Sequence, residues 1–167
     1  MTKDVKPKVI NRNHFIFSVN RDSFESLLAK ANCRDSGKFS ANVPINLDPP
    51  VYECTHYRFE QIPSETRDLR DVLSIFRCSW MDFATIRELL GFATAFPKII
   101  RRGGRIIALG RDTICFTGGV IPAIRPGMRR IVLEKITYSI GVTLFTTEDR
   151  FLIRDEIQRP RHQVLVA

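Results

Sequence analysis

The spacing of apolar residues changes period along this chain, and each change marks an element. From His14 to Val19 the run HFIFSV is aromatic and β-branched with alternation, which predicts a strand. Asp22-Ser23-Phe24-Glu25 then supplies an N-cap with an acid three residues on, a capping-box arrangement of Asp22 and Glu25, and Phe24, Leu27, Leu28 and Ala31 recur at helical spacing, so a short helix is expected over 23–31. Gly37, Pro44, Pro49 and Pro50 oppose regular structure between 32 and 50, which reads as a long surface loop. Val51 to Gln61 has strand-forming residues and no breaker, but neither face is purely apolar, so a partly solvated strand is expected.

Two helices follow. One starts at Pro63-Ser64 and carries the stripe Leu69, Val72, Leu73 and Phe76. In the other, Asp82 is the expected cap of a longer stripe, Phe83, Ile86, Leu89, Leu90, Ala93 and Phe96, ended by Pro97. Beyond it the period becomes that of strands, at 105–109, 113–116, 130–137, 140–146 and 151–154, separated by turn-forming groups such as Gly118-Gly119 and Pro126-Gly127. Consecutive short strands favour an antiparallel meander. The expected fold class is α+β: an N-terminal strand and helix, two further helices, then an antiparallel sheet of about five short strands. One globular domain over 14–157 is expected, with a flexible basic arm at 1–13 and a tail at 158–167.

Composition adds limits. Apolar residues make up 44% and charged residues 26% of the 167 residues, as in ordinary globular chains. No run approaches the roughly 20 apolar residues that span a bilayer, and the opening MTKDVKPKVINRNHF has no apolar stretch of signal-peptide length, so a soluble, cytoplasmic chain is expected. Cys33, Cys54, Cys78 and Cys115 form no C-x-x-C pair. Cys54-Thr55-His56 puts two metal-capable side chains on one strand face, and Cys33 or Cys78 folded nearby would contribute to a Cys3His set; the wide spacing nevertheless favours free buried thiols and no metal. No cofactor is expected. His14, His56 and His162 lie in no catalytic context; a triad from His56, Asp68 and a serine lacks a G-x-S-x-G elbow, so an enzyme is only the third reading.

Charge is the informative feature. Residues 1–83 hold 12 basic and 11 acidic side chains, whereas 84–167 hold 14 and 7, so nearly all of the +8 excess sits in the C-terminal half. Arg101-Arg102-Gly103-Gly104-Arg105 lies between a helix end and a strand, the wrong order for a P-loop, yet its glycines let arginine forks approach phosphates. Arg125, Arg129 and Arg130 flank a second turn, with Lys98, Arg111, Arg159 and Arg161 as extensions and the Lys3, Lys6, Lys8 arm as an alternative site. Phe116, Tyr138 and Phe145 sit among apolar neighbours and read as core, so backbone contact fits better than base stacking. The first expectation is a non-enzymatic protein that contacts nucleic acid or another polyanion through Arg101, Arg102, Arg105, Arg125, Arg129 and Arg130. The second is a protein-ligand interaction module with incidental charge. Contiguity of those six arginines favours the first, scattering the second.

Glu88-Leu89-Leu90-Gly91-Phe92, Pro97, Ile106-Ile107-Ala108-Leu109-Gly110, Val120-Ile121-Pro122 and Phe151-Leu152-Ile153-Arg154 occur in an order that resembles a family of small, uncharacterised bacterial proteins, over roughly residues 80–156. That resemblance implies no activity. Glu88, Leu89, Leu90, Phe151 and Arg154 are also similar to the pattern of bacterial C-type-lectin-like domains, which implies a binding scaffold.

Overall fold

The computed structural model describes residues 5–19, 21–39, 54–66, 69–77, 82–110, 120–137 and 144–156. Its strands are β1 (Lys8–Asn11), β2 (His14–Ile16), β3 (Cys33–Asp35), β4 (His56–Glu60), β5 (Ile106–Ile107), β6 (Val120–Pro126), β7 (Ile131–Thr137) and β8 (Arg150–Glu156). Its helices are α1 (Phe24–Ala31), α2 (Leu69–Phe76), α3 (Ile86–Ala95) and α4 (Pro97–Ile100). The class is α+β, but the strands form one mixed eight-stranded sheet in the order β1-β2-β4-β8-β5-β6-β7-β3. Pairs β5–β8 and β3–β7 are parallel, which corrects the expected five-stranded antiparallel meander.

Each departure from the expected elements has a local cause. Lys8–Asn11, expected as part of an arm, pairs with β2 across the Asn11-Arg12-Asn13 turn, where Asn11 Oδ1 accepts the Asn13 N–H at 3.0 Å. Helix α1 starts at Phe24, and its cap is Ser23, which accepts the Ser26 N–H at 3.2 Å, rather than Asp22 in a capping box with Glu25. Its C-cap Asn32 is left-handed (φ 49°) and turns the chain directly into β3, inside the expected 32–50 loop, beside β7. The helix α3 begins at Ile86, not at Phe83. Its cap is Thr85, not Asp82, in a capping box with Glu88, because Phe83 bridges to Ile153 and the Ala84 N–H is bound by the Leu152 carbonyl. Helix α2 begins at Leu69, not at Pro63-Ser64. The strand expected over 105–109 contracts to Ile106–Ile107, and around 140–146 the described part, from Leu144, makes only an isolated bridge between Phe145 and Thr66. The 113–116 strand and the 158–167 tail lie outside the described residues.

Strand β6 was not expected, since Pro122 and Pro126 argue against a central strand. The Pro122 carbonyl accepts the Ala108 N–H at 3.1 Å, so the missing Pro122 N–H also points to that side, just past the end of β5, and no bond to β7 is lost. The inner strands carry continuous apolar runs because both sheet faces are covered. Ile106, Ile124, Leu133 and Leu152 pack with α1, α3 and α4, while Ile107, Ala123, Ile136, Phe151 and Ile153 pack with α2, Phe83 and Phe145. No helix among the described residues is long and apolar enough to cross a membrane.

Candidate functional site

The strand register decides where the basic turns go. Ile106 pairs with Ile124, so the chain enters β5 where it leaves β6, and the hairpin from β6 to β7 turns at that same end. In the parallel pair, Ile106 aligns with Arg150, which brings the start of β8 there too. Across β8, β4 and β2 the register continues to the Asn11-Arg12-Asn13 turn, and on the far side β3 starts beside β7. One end of the sheet therefore holds both arginine-rich turns, with strands about 4.8 Å apart between them.

The six arginines are brought to one end but do not share one role. Arg101, Arg102 and Arg129 are exposed and, among the described residues, in no ion pair. Arg130 is exposed and donates to the Cys33 carbonyl at 3.0 Å, tying β7 to β3. Arg105 is not a free cation: its Nε and Nη2 grip Asp149 at 2.8 and 3.0 Å, and Nη2 also reaches the Leu144 carbonyl at 3.1 Å. Arg125 Nε lies 2.8 Å from Glu134 Oε2 on the neighbouring strand. Acids on adjoining segments thus occupy both forks, and the Arg105 side chain is only part-exposed. Arg12 and Arg34, exposed and likewise in no ion pair among the described residues, join the same end. Both lie in segments whose strands the sequence reading did not expect.

Between the Asn11-Arg12-Asn13 turn and the 101–104 loop opens a cavity of about 870 Å³, with Arg12, Asn13, Gln61, Arg102, Glu148 and Arg150 on its polar side and Val9, Phe15, Phe59 and Ile99 on its apolar side. Two glycines shape its wall. Gly103 has φ +100°, and a Cβ on Gly104 would stand 2.1 Å from the Glu148 carbonyl oxygen, so the loop passes closer to the 148–150 segment than a side chain allows. Arg150 stands behind that wall, 9% exposed. Its Nε donates to the Gly104 carbonyl and Nη1 to the Ile99 carbonyl, both at 3.1 Å, Nη2 also bonds Gly104, and the guanidinium lies 5.1 Å from the centre of the Phe59 ring. Burial lowers its pKa from the ordinary arginine value. No acidic side chain pairs with it among the described residues.

The remaining candidates are structural. Glu88 receives Arg154 through Nε at 2.9 Å and through Nη2, accepts the Tyr57 hydroxyl, and holds the Thr85 N–H at 3.0 Å. Arg154 also donates to the Phe83 carbonyl at 3.1 Å. Burial and the Glu88 carboxylate raise the Tyr57 pKa, which keeps the phenol protonated as donor. The network is buried, and none of its three side chains lines the cavity above. Cys33 and Cys54 are buried free thiols, and burial pushes Cys33 up to about 12. No group of three metal-capable side chains occurs among the described residues. His14 Nδ1 bonds Asn11 at 2.8 Å and Nε2 lies 3.5 Å from Asp155; Asp68, His162, Cys78, Cys115, Arg111, Arg159, Arg161, Phe116 and Tyr138 lie outside the described residues. Phe145 is fully buried, in keeping with its reading as core. No family model, no curated protein and no solved structure matches the chain.

Proposed function

We propose that the protein binds a polyanion, nucleic acid before an acidic protein, across the basic end of its sheet. The observation that supports this reading is the gathering of Arg12, Arg34, Arg101, Arg102, Arg129 and Arg130 at one end by strand register. Every one of these cations is an arginine, whose planar fork suits phosphate oxygens. Arg105 and Arg125 act differently: held by Asp149 and Glu134, they stiffen the turns that carry the exposed guanidinium groups. No exposed aromatic ring among the described residues accompanies the row, so contact falls on the sugar-phosphate backbone and carries little base readout.

Affinity then comes mainly from counterion release and falls with salt. With about four phosphate contacts, binding to a labelled duplex or single strand of mixed sequence weakens on the order of a hundredfold between about 50 and 200 mM salt. Replacing Arg101, Arg102, Arg129 and Arg130 together by serine removes most of that binding, flattens the salt slope and leaves the thermal midpoint nearly unchanged. Fluorescence anisotropy across a salt series, with thermal unfolding of both proteins, is the test. Binding that ignores salt, or a quadruple variant that binds as before, overturns the reading.

A further inference from the structure

Arg150 poses a problem that the polyanion reading leaves untouched. A guanidinium taken out of water loses several kcal/mol of hydration, and interiors normally return it through a carboxylate. Here it meets two carbonyl groups and an aromatic face. Of its five N–H donors, one on each of Nη1 and Nη2 remains after those bonds. The side chain lines the 870 Å³ cavity rather than sealed core, so the unmet charge faces a space of ligand size.

The other walls narrow the ligand. Among the described lining residues, Arg12, Arg102 and Arg150 against Glu148 make a net charge of +2. A phosphomonoester carries about −1.5 to −2 at neutral pH and matches this better than a monocarboxylate. The cavity is also too large for phosphate alone, and Val9 and Ile99 give it an apolar side. The geometry points to a binding site for a phosphomonoester dianion on an organic body, as in a nucleoside monophosphate or the 5′-phosphorylated end of a nucleic-acid strand. The phosphate meets the guanidinium groups of Arg150, Arg102 and Arg12, while Glu148 accepts a hydroxyl or amino donor of the body and disfavours a second anion there. This goes beyond the polyanion surface. Arg12 and Arg102 belong to both, but Arg150 and Glu148 belong to the cavity, and Arg129 and Arg130 do not line it.

Calorimetric titration of the full chain with AMP, adenosine and inorganic phosphate tests the assignment. AMP is expected to bind at least about tenfold more tightly than adenosine, because charge-assisted bonds to phosphate carry the affinity. Binding should tighten as pH rises through about 6, where the second phosphate proton is lost. Arg12→Ser and Arg102→Ser, both surface changes, should each weaken AMP about tenfold, and the Arg129→Ser/Arg130→Ser double variant should leave it unchanged. Arg150→Met removes the buried fork, but the surface variants decide the matter should it fail to fold. A strand with a 5′-phosphate that outcompetes both its 5′-hydroxyl twin and AMP identifies a strand end as the source; equal binding of the two strands beside tight AMP identifies a free nucleotide. Equal affinity for AMP and adenosine, no binding up to about 1 mM, or an AMP response to the Arg129/Arg130 variant equal to that of Arg102→Ser overturns the proposal.

Discussion

Arg154 and Arg150 sit four residues apart on β8, both buried, and their surroundings separate structure from function. Arg154 has a carboxylate in its fork and every neighbour satisfied, as a structural ion pair requires. Arg150 has carbonyls on one side and open volume on the other. Removing a partner from the first should therefore be a pure stability event. Glu88→Ala leaves the Arg154 guanidinium without its carboxylate, removes half of the capping box of α3 and strips the Tyr57 hydroxyl of an acceptor, so a loss of about 3–5 kcal/mol is expected in denaturant unfolding. A change below about 1 kcal/mol would show water reaching the pair.

At the scale of elements, α3 is the piece on which the first layer depends. Leu89, Leu90 and Phe92 are fully buried, and Phe92 joins a group of rings with Phe15, Phe17, Phe59 and Phe96 at centroid distances of 4.7 to 5.9 Å. Truncating Leu89 or Leu90 to alanine should cost about 2–5 kcal/mol, measured by denaturant midpoint at unchanged slope. An unchanged midpoint in both variants would place that face against something other than the sheet. The same helix leads through Phe96 and Pro97 into α4, whose Ile99 carbonyl receives Arg150, so the layer that closes the core also sets the cavity wall. Pro97 ends α3 as its ring demands, yet it opens α4 at the position where a missing N–H costs nothing.

For the whole molecule, the sheet's order makes one end basic and divides the arginines between scaffold and surface. That division is measurable. Arg105→Ser leaves Asp149, 4% exposed at its side chain, without its fork and should cost about 1–3 kcal/mol while changing polyanion affinity little. Arg129→Ser should do the reverse, weakening binding with the thermal midpoint unchanged. Identical behaviour of the two variants in both assays would mean that the six arginines form one undivided patch.

The elements legible in the amino-acid sequence are those whose signals are local. Ser23 and the Phe24, Leu27, Ala31 stripe mark α1; the Leu89, Leu90, Ala93 stripe marks α3; Tyr57 and Phe59 alternate along β4; and the arginines beside Gly103-Gly104 and Pro126-Gly127 announce two basic turns. Strands β1 and β3 were hidden because a short edge strand needs only one partner and little apolar content. Strand β6 was hidden because its prolines are tolerated only where β5 happens to stop. Charge counting could not tell Arg105, gripped by a residue 44 positions away, from Arg101, or show that the buried Arg150 faces a cavity. Periodicity and capping act within a few residues and are written in order along the chain. Ion-pair partners, register and enclosed volume depend on which distant segments the sheet sets side by side, and only the tertiary structure decided those.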